Sequence, residues 1–163
     1  MNKNETYQYL TEKGIEFEIT NHRAVFSMEE ADTIEIPYPE WDAKNLFIRD
    51  DKKQNYYLIT VRGDKRVDLK EFRKQNGLRP LSFASADDLM AIMELTPGSV
   101  TPLGILADKE NKIYYYLDEE FEGNLIGVHP NDNTATIWLQ ADEMMRLIKE
   151  HGNIAEYVKI CER

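Results

Sequence analysis

The chain has 163 residues, 42% of them hydrophobic and 31% charged, and its 30 acidic against 20 basic side chains give a formal charge of −10. A chain of this length buries about 68–70% of its unfolded surface without metal or disulfide staples, and apolar runs of about four residues, such as 56–59, exclude a helix of the ~20 that cross a membrane. The negative charge argues against a general DNA or RNA binder, because such a surface displaces phosphate counterions with many cations.

Asn4, Tyr7 and Leu10 at helical spacing, closed by Gly14, predict a first helix. Ile15, Phe17 and Ile19 then alternate with polar residues as a half-buried strand does. Ser27 with Glu30 three positions on forms a capping box, which opens a short helix that Pro37 and Pro39 end. Residues 45–49 and 56–61 read as strands around the polar hairpin loop 50–55. Leu69 and Phe72 place a short helix over 68–76, stopped by Gly77, with a basic outer face. A strand over 82–84 follows, and Ser85 with Asp88 caps a helix carrying Leu89, Ile92 and Met93. Thr96-Pro97-Gly98 interrupts the pattern, after which 103–106 and 113–117 read as a further strand pair. Residues 125–128 and 134–139 flank the loop 129–133, and an amphipathic helix over 141–151 stops at Gly152. About seven strands with four or five helices, arranged in hairpins, predict one α+β domain over 1–163 with a mixed, largely antiparallel, barrel-like sheet.

Several kinds of chemistry are excluded by motif. There is no Gly-x-x-x-x-Gly-Lys loop, no Gly-x-Gly-x-x-Gly, no Gly-x-Ser-x-Gly and no His-Glu-x-x-His. His22, His129 and His151 are far apart in sequence and no cysteine cluster joins them, so neither a metal site nor a cofactor is expected. The single cysteine, Cys161, cannot pair internally and lies in the C-terminal tail, which suits a reducing compartment rather than a nucleophile's role. With no signal-peptide core at the start, the expected location is the cytoplasm.

Two loops combine backbone-shaping residues with polar groups, 98–102 and 129–133, and functional groups are often carried on such loops. The strings themselves resemble the YbaK/ProX aminoacyl-tRNA editing family. Lys44-Asn45-Leu46-Phe47-Ile48-Arg49-Asp50 with Tyr56-Tyr57-Leu58-Ile59-Thr60 is similar to its lysine-bearing strand pair. Leu95-Thr96-Pro97-Gly98-Ser99-Val100-Thr101-Pro102 is similar to its glycine-x-x-x-proline loop, and His129-Pro130-Asn131-Asp132-Asn133-Thr134 to its histidine loop. All three stand in the family's order, and His22-Arg23-Ala24-Val25-Phe26-Ser27-Met28-Glu29-Glu30-Ala31 extends the likeness over nearly the whole chain, closest to the freestanding ProX branch of alanyl-tRNA(Pro) deacylases.

The resemblance implies metal-independent hydrolysis of a mischarged aminoacyl ester on tRNA(Pro), in trans to prolyl-tRNA synthetase as a partner. Lys44, Gly98 and His129 would be the catalytic residues. Phe26, Met28, Asn45, Ser99, Val100, Thr101, Pro102 and Asn131 would surround the substrate. Strand alternation puts Lys44 and Asn45 on opposite faces, so one of the two can enter the pocket, and Lys44 is the expected one. Charge patterning adds a basic group, Arg62, Lys65, Arg66, Lys70, Arg73 and Lys74, as a local tRNA contact or a solvated face. The alternatives are a deacylase for cysteinyl-tRNA(Pro) or another small residue, a noncatalytic tRNA-end binding module, and a regulator that binds protein through the acidic stretch 27–42.

Overall fold

The computed structural model describes residues 1–24 and 34–163. The capping box at Ser27 and the helix expected from it lie outside the described residues. Helix α1 (Lys3–Glu12) begins one residue earlier than Asn4, because Asn2 caps it: the Asn2 side chain accepts from the Glu5 amide at 2.8 Å while the Asn2 amide donates to Glu5 Oε1 at 3.0 Å. Gly14 takes a left-handed φ of 72° and turns the chain toward strand β1 (Glu18–Asn21).

Among the described residues, eight strands form two sheets. In the three-stranded sheet the order is β1, β7 (Ala135–Gln140), β6 (Leu125–Val128), all antiparallel. In the five-stranded sheet the order is β4 (Leu81–Phe83), β2 (Ala43–Asp50), β3 (Tyr56–Arg62), β5 (Ile113–Asp118), β8 (Ala155–Val158). The β4–β2–β3 half is antiparallel and the β3–β5–β8 half parallel, which makes the sheet mixed, as expected. Among the described residues a parallel bridge, Asp42 to Gly127, joins the start of β2 to β6, so the sheets meet at a corner there without closing a barrel.

The β2–β3 hairpin matches the predicted loop, and its stability is local. Buried Asp50 accepts from the Lys52 and Gln54 amides at 3.1 and 2.9 Å and from Asn55 Nδ2 at 2.7 Å. Burial alone would raise its pKa, yet these donors hold the carboxyl below the ordinary value.

The five-stranded sheet is covered on both faces. One face carries Ile48, Tyr57, Ile59, Val61 and Tyr116 against Phe72 of α2 (Leu69–Gln75) and Ile160. The other carries Phe47, Leu58, Tyr115 and Leu117 into the larger core with α3 (Ala86–Met93), α4 (Ala141–His151) and the inner face of the three-stranded sheet. The expected cap at Ser85 accepts from the Asp88 amide and Gly152 ends α4 at φ 110°, while Asp68 caps α2 by accepting from the Glu71 amide.

Two expectations differ from the structure, and one strand was not expected. Residues 103–106 lie in a 3₁₀ helix, Pro102–Ala107, because Thr101 Oγ1 caps the Leu103 amide, Pro102 takes the first position, and tight packing of Gly104 against Leu95 and Met93 leaves no partner strand. Ile19 is 44% exposed because, among the described residues, β1 is an edge strand paired with β7 alone. Strand β8 has no apolar alternation to reveal it; its pairing with β5 comes from the crossover through α4.

Candidate active site

The three sequence motifs meet around the first residues of β2. Lys44 and Asn45 project to opposite faces, as alternation requires, and each makes a different connection. Asn45 faces the larger core's side and is the residue that touches the glycine loop, its Nδ2 donating to Val100 O at 3.3 Å. Its Oδ1 accepts from Thr60 Oγ1 at 2.6 Å, and that hydroxyl accepts from buried Tyr115 OH at 2.9 Å. A polar relay from β5 through β3 to β2 therefore pins the loop carbonyl. Lys44 lies on the other face, half-buried, with Nζ donating to Lys65 O. Burial first, and the neighbouring Arg66 charge second, lower its pKa, with Asp64 acting in the opposite sense.

The glycine loop is a short 3₁₀ turn, Pro97–Ser99, followed by the capped turn at Thr101. Gly98 does not take a positive φ, so its requirement is access rather than a left-handed backbone. The Ser99 amide returns to Thr96 O at 2.9 Å and the Gly104 amide to Thr101 O at 3.1 Å. The amides of Gly98, Val100 and Thr101 have no acceptor among the described residues. Ser99, Thr101 and Pro102 are buried and build the loop, whereas Gly98 and Val100 are half-exposed at its surface. A backbone amide without an acceptor on a stiff turn can hold an oxygen that gains negative charge.

His129 follows β6, two residues beyond the Asp42–Gly127 bridge, just as Lys44 lies two residues beyond it on the other strand. His129 Nδ1 lies 2.9 Å from Ala135 O. A carbonyl only accepts, so Nδ1 carries the proton and the neutral ring presents Nε2 as an acceptor. Burial is the main cause that lowers the His129 pKa; the hydrogen bond to Ala135 works against it. The rest of the loop is self-supporting. Asn131 sits at φ 61° and ties the loop to α1 through Nδ2 to Thr6 Oγ1 at 3.0 Å, while Asp132 accepts from the Thr134 amide at 2.8 Å.

Two residues at this corner were not among the predicted ones. His22, reached directly after β1, packs edge-on to His129 with ring centroids 6.1 Å apart. Asp42 is half-buried at the bridge, and burial pushes its carboxyl up to about 6, offset only by the Ala43 amide. His22 opens the string that carries the family likeness, which is the one signal that could have marked it; Asp42 has none. Gly127 completes the corner. It pairs with Trp138, whose indole lies over it and donates to Thr20 Oγ1 at 2.9 Å.

The basic group is smaller than predicted. Lys65 is 8% exposed, held by Asp118 at 2.6 Å and Glu120 at 3.4 Å, and so belongs to the interior rather than to an exposed cationic face. Arg62 is shared between Asp64 and Glu120 at 3.8 Å each. Arg66, Lys70 and Lys74 are exposed and Arg73 half-buried. Phe26 and Met28 lie outside the described residues. Among the described residues no group of three or more His, Cys, Asp or Glu is placed to hold a metal ion, and no helix is long and apolar enough to cross a membrane.

Comparison with known proteins shows the family and the fold. Residues 22–147 match the family model of the aminoacyl-tRNA editing domain. The prolyl-tRNA editing protein ProX of Acetoanaerobium sticklandii is 34% identical over 152 residues, covering 93% of each chain. Prolyl-tRNA synthetase associated domain-containing protein 1 of Mus musculus is 31% identical over 158 residues, covering 91% of this chain and 90% of its own. A crystal structure described as that of a candidate trans-editing enzyme for prolyl tRNA synthetase superposes with a TM-score of 0.72 at 20% identity, covering 100% and 99% of the two chains, which shows the shared fold. With the lysine strand, glycine loop and histidine loop gathered at one corner and the match extending over residues 22–147, the chain belongs to the aminoacyl-tRNA editing domain family.

Proposed function

We propose that the protein is a trans-editing hydrolase that removes alanine from mischarged alanyl-tRNA(Pro). The observation that carries this reading is that Asn45 of the lysine strand meets the Gly98 loop at Val100 O while the Asp42–Gly127 bridge brings the histidine loop to the same end of β2, in a chain of the editing family; Lys44, expected to enter the pocket, projects to the opposite face. A synthetase pocket large enough for proline discriminates weakly against smaller alanine, since each missing methylene is worth only about 1–3 kcal/mol. A second, smaller pocket removes the error by admitting alanine and excluding proline by size.

In this reading water attacks the ester carbonyl carbon, and the oxygen that becomes negative is held by the amides of Gly98, Val100 and Thr101. The bond from that carbon to the ribose oxygen then breaks, one proton of the water passes to the ribose oxygen and the other to solvent, and alanine leaves as its carboxylate. Lys44 pairs with the terminal phosphate or ribose, and His129 Nε2 accepts a hydrogen bond from the substrate amine or a ribose hydroxyl. No side chain here is assigned as general base; a hydroxyl of the terminal ribose fills that role. Mischarged tRNA(Pro) is the partner, with prolyl-tRNA synthetase upstream.

The test is ester release from alanyl-, cysteinyl- and prolyl-tRNA(Pro) by the purified protein. Alanine is expected to leave fastest and proline to stay. Faster release of cysteine reassigns the substrate, and binding without turnover makes the chain a tRNA-end binding module. Lys44→Ala is expected to abolish most turnover without unfolding the protein, and Gly98→Val to do so by blocking the amides.

A further inference from the structure

His22 and His129 are distant in sequence and adjacent in space because the sheet order is β1–β7–β6. One histidine follows each outer strand, and both meet the first residues of the central strand. The His22 amide donates to Thr134 O at 2.9 Å, its Nε2 lies 2.9 Å from Thr136 Oγ1, and its Nδ1 lies 2.8 Å from Arg23 O. His129 Nδ1 lies 2.9 Å from Ala135 O. Within three consecutive residues, Ala135 holds the His129 ring, Thr136 the His22 ring and Thr134 the His22 backbone, and the rings meet at 61°.

Each ring is oriented through Nδ1 by a carbonyl that can only accept. For neutral His22 this leaves Nε2 to accept from the Thr136 hydroxyl, so both of its nitrogens are engaged. For His129 it leaves Nε2 free of any partner among the described residues. One histidine is thus fully committed to the scaffold and the other has one nitrogen to offer.

We propose that His22 is a positioning residue for His129: the two imidazoles form one unit across the start of β7, in which His22 holds the plane of the ring that meets the substrate. The proposal rests on the reading of His129 as a substrate-facing group. Electrostatics supports the geometry. A charge on His22 disfavours protonation of His129, Asp132 of the same loop favours it, and Lys3 of α1, which donates to Thr134 Oγ1 at 2.9 Å, acts on Asp132 in turn. Burial of His129 opposes its charging as well. The unit keeps the free Nε2 an acceptor at neutral pH, which is the state able to receive a proton from an amine or hydroxyl.

The experiment is a pH titration of both imidazoles by NMR in the substrate-free protein, with His22→Gln and His22→Phe beside the wild type. In either variant the His129 curve is expected to move to higher pH, with loss of its single Nδ1-protonated tautomer. Deacylation of alanyl-tRNA(Pro) should show the same upward displacement in the acid limb of kcat, with KM less affected. A His129 curve and tautomer unchanged in a folded His22 variant overturn the proposal. Because the NMR arm needs no turnover, absence of deacylation would count against the proposed function alone.

Discussion

Replacing Gly127 by alanine tests the corner on which the site is built. A Cβ at this position would lie within 2.8 Å of three atoms of the Trp138 six-membered ring. That ring is rigid, and Trp138 is 1% exposed, so neither partner can yield locally. Gly127 is not at a positive φ, so alanine meets no backbone penalty of its own. Overpacking of a tight interior costs about 1–3 kcal/mol, and displacing the indole also threatens its hydrogen bond to Thr20, worth about 1 kcal/mol. The expected loss is therefore about 2–4 kcal/mol, or a Tm lowered by roughly 4–16 °C in a chain of this size. Urea unfolding followed by tryptophan fluorescence measures it. Trp138→Phe removes the atoms that clash, so adding Gly127→Ala in that background should cost less than about 1 kcal/mol. Gly104→Ala is the control: its Cβ would meet Leu95 Cδ1 at 2.5 Å and Met93 Cε at 3.0 Å, the ends of flexible side chains, and should cost less than about 1.5 kcal/mol. An equal cost for Gly127→Ala in the wild-type and the Trp138→Phe backgrounds would refute the packing argument.

Three further outcomes follow from the charges. Lys65→Met leaves Asp118 buried and unpaired and should cost about 3 kcal/mol in chemical denaturation, with most of it regained in the Lys65→Met, Asp118→Leu double variant; no recovery would mean the pair is not what holds this turn. Asp42 has a folded pKa of about 6 against an ordinary 3.8, so the folded state favours its protonated form, and stability from this group falls as pH rises from about 4 to 6. Asp42→Asn should thus raise Tm at pH 7, by no more than about 3 kcal/mol of stability, and leave it nearly unchanged at pH 4; an equal gain at both pH values would exclude titration as the cause. Lys70→Glu with Lys74→Glu, both exposed on α2, should weaken tRNA binding and flatten its salt dependence while sparing chemistry once bound. Normal binding across a salt series would leave the helix face a solvated surface.

What the sequence by itself determined is what neighbouring residues can settle. The caps at Asp68 and Ser85, the glycine stops at Gly14, Gly77 and Gly152, and the Asp50 loop of the β2–β3 hairpin all rest on contacts within a few positions, and the structure contains each. The family likeness was readable too, because its motifs are contiguous strings. The tertiary structure alone decided what depends on partners distant in the chain. Residues 102–107 have a strand's apolar content, yet the packing of Gly104 against Leu95 and Met93 leaves them a 3₁₀ helix. Lys65 looks like its exposed neighbours until Asp118 and Glu120 close over it. His22 becomes a neighbour of His129, and Asp42 of Gly127, only through the order in which strands pair. Local hydrogen bonds and turn geometry are written in adjacent side chains, whereas burial and site assembly are properties of the pairing and have no local signature.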